Sequence, residues 1–99
     1  MAHITEHVFV RPNDTVEFFP DMSSILPLSE AVRAEQGITR AADVLSEDNL
    51  TLTQVYTCPS EEAFLIWESE MADSRASVGL LTHFSENGIT ATVTVIENT

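Results

Sequence analysis

The sequence predicts an α+β domain, with helical segments packed on one face of an antiparallel sheet. Three observations predict it. The first is the stretch from Leu50 to Trp67, where a period-2 run gives way to a helix start. Leu50, Leu52, Gln54 and Tyr56 fall on one side of an extended chain, and Thr51, Thr53, Val55 and Thr57 on the other. Pro59 then removes a backbone donor, which a strand interior needs and a helix start does not. Ser60 or Cys58 suits the cap, and Glu61 and Glu62 suit the positive end of a helix dipole. The second observation is alternation near both ends of the chain. Ile4, Glu6, Val8 and Val10 alternate with His3, Thr5, His7 and Phe9, while Ile89, Ala91, Val93 and Val95 alternate with Thr90, Thr92 and Thr94. The third is Ser46-Glu-Asp-Asn49, a loop short enough to make its flanking strands antiparallel.

Taken in order, the first strand covers about 3–11 and ends at the turn signal Pro12-Asn13-Asp14. Asp14-Thr-Val-Glu17 fits a capping box, so a helical region broken by Pro20 and Pro27 is expected over 15–36. Its best-defined part is 28–36, with Leu28, Ala31, Val32 and Glu35 at helical spacing and Gly37 as the stop. Residues 38–45 read as the second strand and 50–57 as the third. Residues 60–84 read as mostly helix, with Phe64, Trp67, Met71, Val78 and Leu81 forming an apolar stripe and Asp73-Ser74 as a point of interruption. Asn87-Gly88 ends it, and the last strand follows. The order is βαββαβ. Connection rules then favour a ferredoxin-like arrangement, a four-stranded antiparallel sheet with both helices on one face, spanning 1–99 as a single domain.

The apolar side of the last strand is expected to face the helices, and its threonine side to lie on the open face. That open face, with Val55 and Ile96 among threonines, is more apolar than a freely solvated sheet needs. A second subunit covering it, giving a homodimer, is the expectation.

Composition narrows the partners. The chain has 99 residues, 43% hydrophobic, which suits one modest core and argues against disorder. Sixteen acidic residues face four arginines and no lysine, for a formal charge of −12. Direct binding of nucleic acid is not expected, because neutralising a phosphate backbone takes Lys or Arg. Anionic membranes are disfavoured for the same reason, and no apolar run approaches the length of a membrane span. The N-terminus lacks the basic and apolar regions of a secretory signal, and the single Cys58 suits a reducing compartment, so the cytoplasm is expected.

Gly37 opening the second strand, Leu52-Thr-Gln-Val-Tyr56 closing the hairpin, and Ser60-Glu-Glu-Ala-Phe64 followed by Trp67 resemble the dimeric α/β-barrel superfamily. Within it the resemblance is to antibiotic biosynthesis monooxygenase-like domains, and it spans nearly the whole chain. It implies a homodimer whose two sheets pack into a barrel, with a pocket between each sheet and its helices. It also implies oxidation of aromatic polyketides, quinols or haem, often without metal or flavin, since the substrate itself supplies electrons to oxygen. Haem-degrading members carry an asparagine on the first strand, a tryptophan on the second helix and a histidine ten residues later. The matching positions here are His7, Trp67 and Ser77, and a serine cannot replace the proximal imidazole.

His7 and Trp67 are therefore the candidate catalytic residues. An imidazole on the sheet can act as a base on a phenolic substrate near neutral pH. Phe9, Tyr56, Phe64, Met71 and His83 are candidate substrate-binding residues. Plainer alternatives stand beside these readings: Trp67, Tyr56, Phe64 and Met71 as core, His7 as a surface or satisfied histidine, and His83 as a helix cap. His3 and His7 share one strand face, but two histidines without a third ligand do not define a metal site, and no cofactor is expected. Cys58 has no basic neighbour, and Glu61 and Glu62 oppose its ionisation. Three functions remain open: a cofactor-independent oxygenase acting on an apolar aromatic molecule, a non-catalytic dimeric module binding a small ligand or a protein, and an acidic mimic of nucleic acid.

Overall fold

Three long strands carry the sheet in the computed structural model, which describes residues 2–98. They are β1 (His3–Val10), β4 (Thr51–Cys58) and β5 (Thr90–Asn98). Two short ones, β2 (Thr39–Arg40) and β3 (Val44–Leu45), both pair with the outer edge of β4. The order is β2-β4-β1-β5, with β1 antiparallel to both neighbours. Helices α1 (Leu26–Gln36), α2 (Glu61–Ser77) and α3 (Leu80–Asn87) complete a ferredoxin-like α+β fold.

The register explains which residues meet. His3, Thr5 and His7 stand opposite Cys58, Tyr56 and Gln54 on the face that the helices cover. Ile4, Glu6 and Val8 stand opposite Thr57, Val55 and Thr53 on the open face. The principal core cluster contains Ile25, Val32, Ile38, Tyr56, Cys58, Trp67 and Met71. Val93 and Val95 share the helix-side face with His7 and Thr5, as the alternation requires, yet both remain about half exposed.

Local chemistry sets the helix ends. The Ser60 hydroxyl caps α2 by accepting the Ala63 N–H at 3.2 Å, with Glu61 and Glu62 in the first turn. Gly37 ends α1 at φ 72°, a left-handed conformation that lets the Ile38 N–H reach the Arg33 carbonyl at 2.8 Å.

Three expectations are corrected. No helix forms over 15–25, and Asp14 caps nothing. Instead the Asn13 side chain accepts the Thr15 N–H at 3.1 Å, and Asp21 accepts the Ser23 N–H at 3.0 Å. Such local turns compete directly with helix hydrogen bonds, so α1 starts only at Leu26, with a proline in its first turn where no donor is needed. The expected strand over 38–45 is split. Ala41 still donates to the Val55 carbonyl at 3.0 Å, but Arg40 pairs with Asp43 across the gap and ladder pairing resumes at Val44. Finally, the second helix runs straight through Asp73 and Ser74 and breaks at Gly79, φ 71°. That break resets the helical phase. Leu81, expected on the apolar stripe, is 77% exposed, and Phe84 is buried instead.

Candidate functional site: an aromatic cleft with three arginines

A cleft of about 890 Å³ lies between the sheet and the helical layer. β1 supplies His7 and Phe9 to it, β4 supplies Gln54 and Tyr56, and α2 supplies Trp67, Glu68, Met71 and Arg75. Tyr56 and Trp67 form the floor, with ring centroids 4.7 Å apart. The His7 ring sits edge-on to Tyr56 at 5.0 Å and 6.4 Å from Trp67. These side chains converge because strand alternation puts His7 and Tyr56 on one face, and helical spacing turns positions 67, 71 and 75 of α2 toward them.

The polar groups are held in place. The Trp67 indole N–H donates to the Ser29 hydroxyl at 3.3 Å, tying α2 to α1. The Tyr56 hydroxyl donates to the Gln54 amide oxygen at 3.3 Å. The His7 Nε2 lies 3.0 Å from the Thr5 hydroxyl, the donor depending on the tautomer. Burial lowers the His7 pKa below its ordinary value, opposed by Glu68 and assisted by Arg75. The imidazole is thus neutral at pH 7 and able to accept a proton. Burial raises the Tyr56 pKa, so its phenol stays protonated. Cys58 is fully buried and its thiol is also pushed up, first by burial and then by Glu68, which keeps it unreactive.

Five of the seven candidates read from the sequence line this cleft: His7, Phe9, Tyr56, Trp67 and Met71. Phe64 is not among the lining residues; it packs behind them, its ring 5.4 Å from His3 and 6.1 Å from both His7 and Trp67. His83 is also outside the lining. Its Nε2 donates to the Glu17 carbonyl at 2.8 Å, fastening the segment between β1 and α1. Ser77 is exposed, and its hydroxyl donates to the Ser74 carbonyl at 2.8 Å. Among the described residues, no group of three or more His, Cys, Asp and Glu gathers to hold a metal ion, and no helix is long and apolar enough to cross a membrane.

Sequence reasoning missed the charged part of the wall. Arg33, Arg40 and Arg75 all line the cleft. Arg33 lies 5.7 Å from the Tyr56 ring and 5.9 Å from the Trp67 ring, Arg40 lies 5.6 Å from Tyr56, and Arg75 lies 5.3 Å from Trp67. Arg75 donates to Glu68 at 2.8 Å. The helical spacing of Trp67, Met71 and Arg75 was a legible signal for the last of these. A second aromatic group, Phe9, Phe19 and Phe84, closes one end, with Phe9 5.0 Å from Phe19 and 5.7 Å from Phe84.

No protein-family model matches this chain, and no curated protein matches it. Among solved structures it is similar to Rv0793 from Mycobacterium tuberculosis, at 22% identity over 98% of this chain and 95% of that one, TM-score 0.56. It is similar also to a dimeric ferredoxin-like protein from an uncultured marine organism, at 9% identity over 96% and 94%, TM-score 0.50. Against an amidase of the hydantoinase/carbamoylase family from Burkholderia vietnamiensis it spans only 27% of that chain, at 11% identity and TM-score 0.46. The first two likenesses agree with the ferredoxin-like topology drawn above. Fold and cleft together define a ferredoxin-like α+β protein with an aromatic-walled cleft between sheet and helices.

Proposed function

We propose that the cleft binds an aromatic or quinol-type small molecule, and that the protein oxidises it as a cofactor-independent monooxygenase-like enzyme working as a homodimer. The observation that carries this reading is the meeting of a neutral, buried His7 with the Tyr56 and Trp67 rings in one cleft large enough for a multi-ring ligand. The rings stack on the ligand and exclude water. His7 takes the proton from a ligand hydroxyl, leaving an electron-rich anion able to reduce oxygen. The resemblance to antibiotic biosynthesis monooxygenase-like domains agrees with this chemistry. The exposed apolar residues of the open sheet face support the dimer.

Oxygen uptake with a panel of quinols and aromatic polyketides tests the reading. Wild type is expected to consume oxygen with at least one of them, and His7→Ala to slow it by about 10²–10⁴-fold, the usual worth of a positioned base. Uptake unchanged by His7→Ala would remove His7 from the mechanism. Ligand binding without uptake would leave the second reading, a non-catalytic small-ligand module, with which the hydrogen bond of His7 to the uncharged Thr5 hydroxyl agrees.

The lowered His7 pKa also predicts a stability effect. The unfolded chain binds a proton at His7 near pH 6.5, while the folded chain resists it. Stability from this group is therefore full above about pH 6.5 and is lost as pH falls from there through the lower folded value. Thermal melting between pH 7.5 and 5 is expected to show a smaller acid-side loss in His7→Gln than in wild type. Equal losses would mean that His7 is not held neutral.

A further inference from the structure

We infer that the ligand of this cleft carries an acidic group, a carboxylate on an aromatic framework, and that Arg33 receives it. The inference deepens the proposed function and rests on the cleft being an aromatic-ligand site.

The charge distribution is the first ground. The chain has four cationic side chains against sixteen acidic ones. Three of those four line a single cleft, around the two rings that form its floor. A solvated acidic surface gives no reason for that concentration. The second ground is pairing. Arg40 is matched by Asp43 and Arg75 by Glu68. Arg33 has no acidic partner among the described residues, and its Nε is buried without a hydrogen-bond partner. That nitrogen is closed off from the cleft, so a ligand there meets the terminal nitrogens of the guanidinium, which no described acidic residue engages. The planar fork of an arginine matches a carboxylate in two parallel hydrogen bonds.

The third ground is the neighbouring helix α2. Glu68 Oε2 accepts from Arg75, and its Oε1 is buried with no partner. Glu68 lines the cleft, and a carboxylate accepts hydrogen bonds and donates none, so this residue suits a ligand hydroxyl rather than a second carboxylate. His7 is the other acceptor nearby. The cleft therefore offers one cationic fork and acceptors for hydroxyl protons around an aromatic floor. An aromatic hydroxy acid satisfies all of these groups together. A neutral quinol would leave Arg33 unmatched.

Calorimetric titration with 1-hydroxy-2-naphthoic acid and with its methyl ester tests this directly, because the pair shares ring and hydroxyl and differs in charge. Wild type is expected to bind the acid at least about tenfold more tightly than the ester, with the acid's affinity falling as salt rises. Arg33→Gln should abolish the preference while leaving the ester's affinity within about twofold, and Arg33→Lys should restore part of it, since charge returns without the fork. Melting curves of both variants establish that they fold. Equal binding of acid and ester by wild type overturns the inference and keeps the aromatic site. Parallel weakening of both ligands in Arg33→Gln also overturns it, because Arg33 would then act only on the shape of the cleft. Binding of neither probe removes the aromatic site and the inference together.

Discussion

Trp67→Ala is expected to destabilise the protein by about 3–5 kcal/mol, the usual cost of emptying a large aromatic site. Trp67 is 3% exposed and joins three elements. Its ring packs on Tyr56 of β4 and Phe64 of α2, and its indole N–H bonds Ser29 of α1. Truncation leaves a void and an unpaired hydroxyl. A domain of ordinary stability holds only about 5–15 kcal/mol in reserve, so the variant should unfold at markedly lower urea. Circular dichroism is the appropriate probe, because the substitution removes the chain's single tryptophan. Trp67→Phe should cost less, since it keeps a ring and loses the Ser29 bond, worth about 0.5–1.5 kcal/mol. A loss below about 1 kcal/mol for Trp67→Ala would show that the floor of the cleft is not part of the core.

The proposed dimer makes the second large prediction. Val8 lies mid-strand on β1, opposite Thr53 of β4 and Thr92 of β5 on the open face. If a second copy covers that face, it removes roughly 1,200–2,000 Å² from solvent, the size of an ordinary specific interface. Val8→Glu would then place a new carboxylate in each half of the interface, and an unpaired buried charge costs several kcal/mol. Sedimentation should show wild type as a dimer at micromolar concentration and Val8→Glu as a folded monomer. Wild-type monomer under those conditions, or an unchanged dimer in the variant, would place the interface elsewhere. Glu6 sits on the same face between Val55 and Thr94, so the covering sheet has to meet a carboxylate with hydroxyl donors, which the threonines supply.

The long strands were legible because a period-2 pattern survives any packing arrangement. His7 therefore shares a side with Thr5 and Phe9, and Tyr56 with Gln54, as alternation alone requires. The caps were legible for a similar reason: Ser60 and Gly37 act within a turn of their own positions. What escaped depended on competition or on distance. Asp14-Thr-Val-Glu17 fits a helix cap, but Asn13 and Asp21 offered the backbone nearer partners. The strand through Ala41 and Ala42 carried acceptable residues, and the ladder is interrupted where Arg40 pairs with Asp43. The cleft was half legible. Its aromatic residues lie on recognisable stripes, while Arg33 and Arg40 come from α1 and β2, and only the tertiary fold sets them beside Tyr56. Phe64 obeyed the helical period and still faced the back of the wall.

The segment between β1 and α1 has a consequence for how the site can change. Arg11 donates to the Asn49 and Val16 carbonyls at 2.8 Å each, and His83 holds the Glu17 carbonyl, so the near half of this stretch is bolted to the frame by its backbone. Its far half contributes Phe19, Pro20 and Met22 to the cleft through side chains. Anchorage and lining are thus divided between different atoms of one irregular stretch. Substitutions at Met22 can recut the volume and shape of the chamber without disturbing a ladder bond or a helix turn. Met22→Ala, for example, should shift ligand preference toward bulkier rings, measured across a graded series of aromatic acids, with some loss of stability because Met22 also packs against the core. Selection for a new ligand would find its least costly route there, in a replaceable wall mounted on a fixed frame of strands and helices.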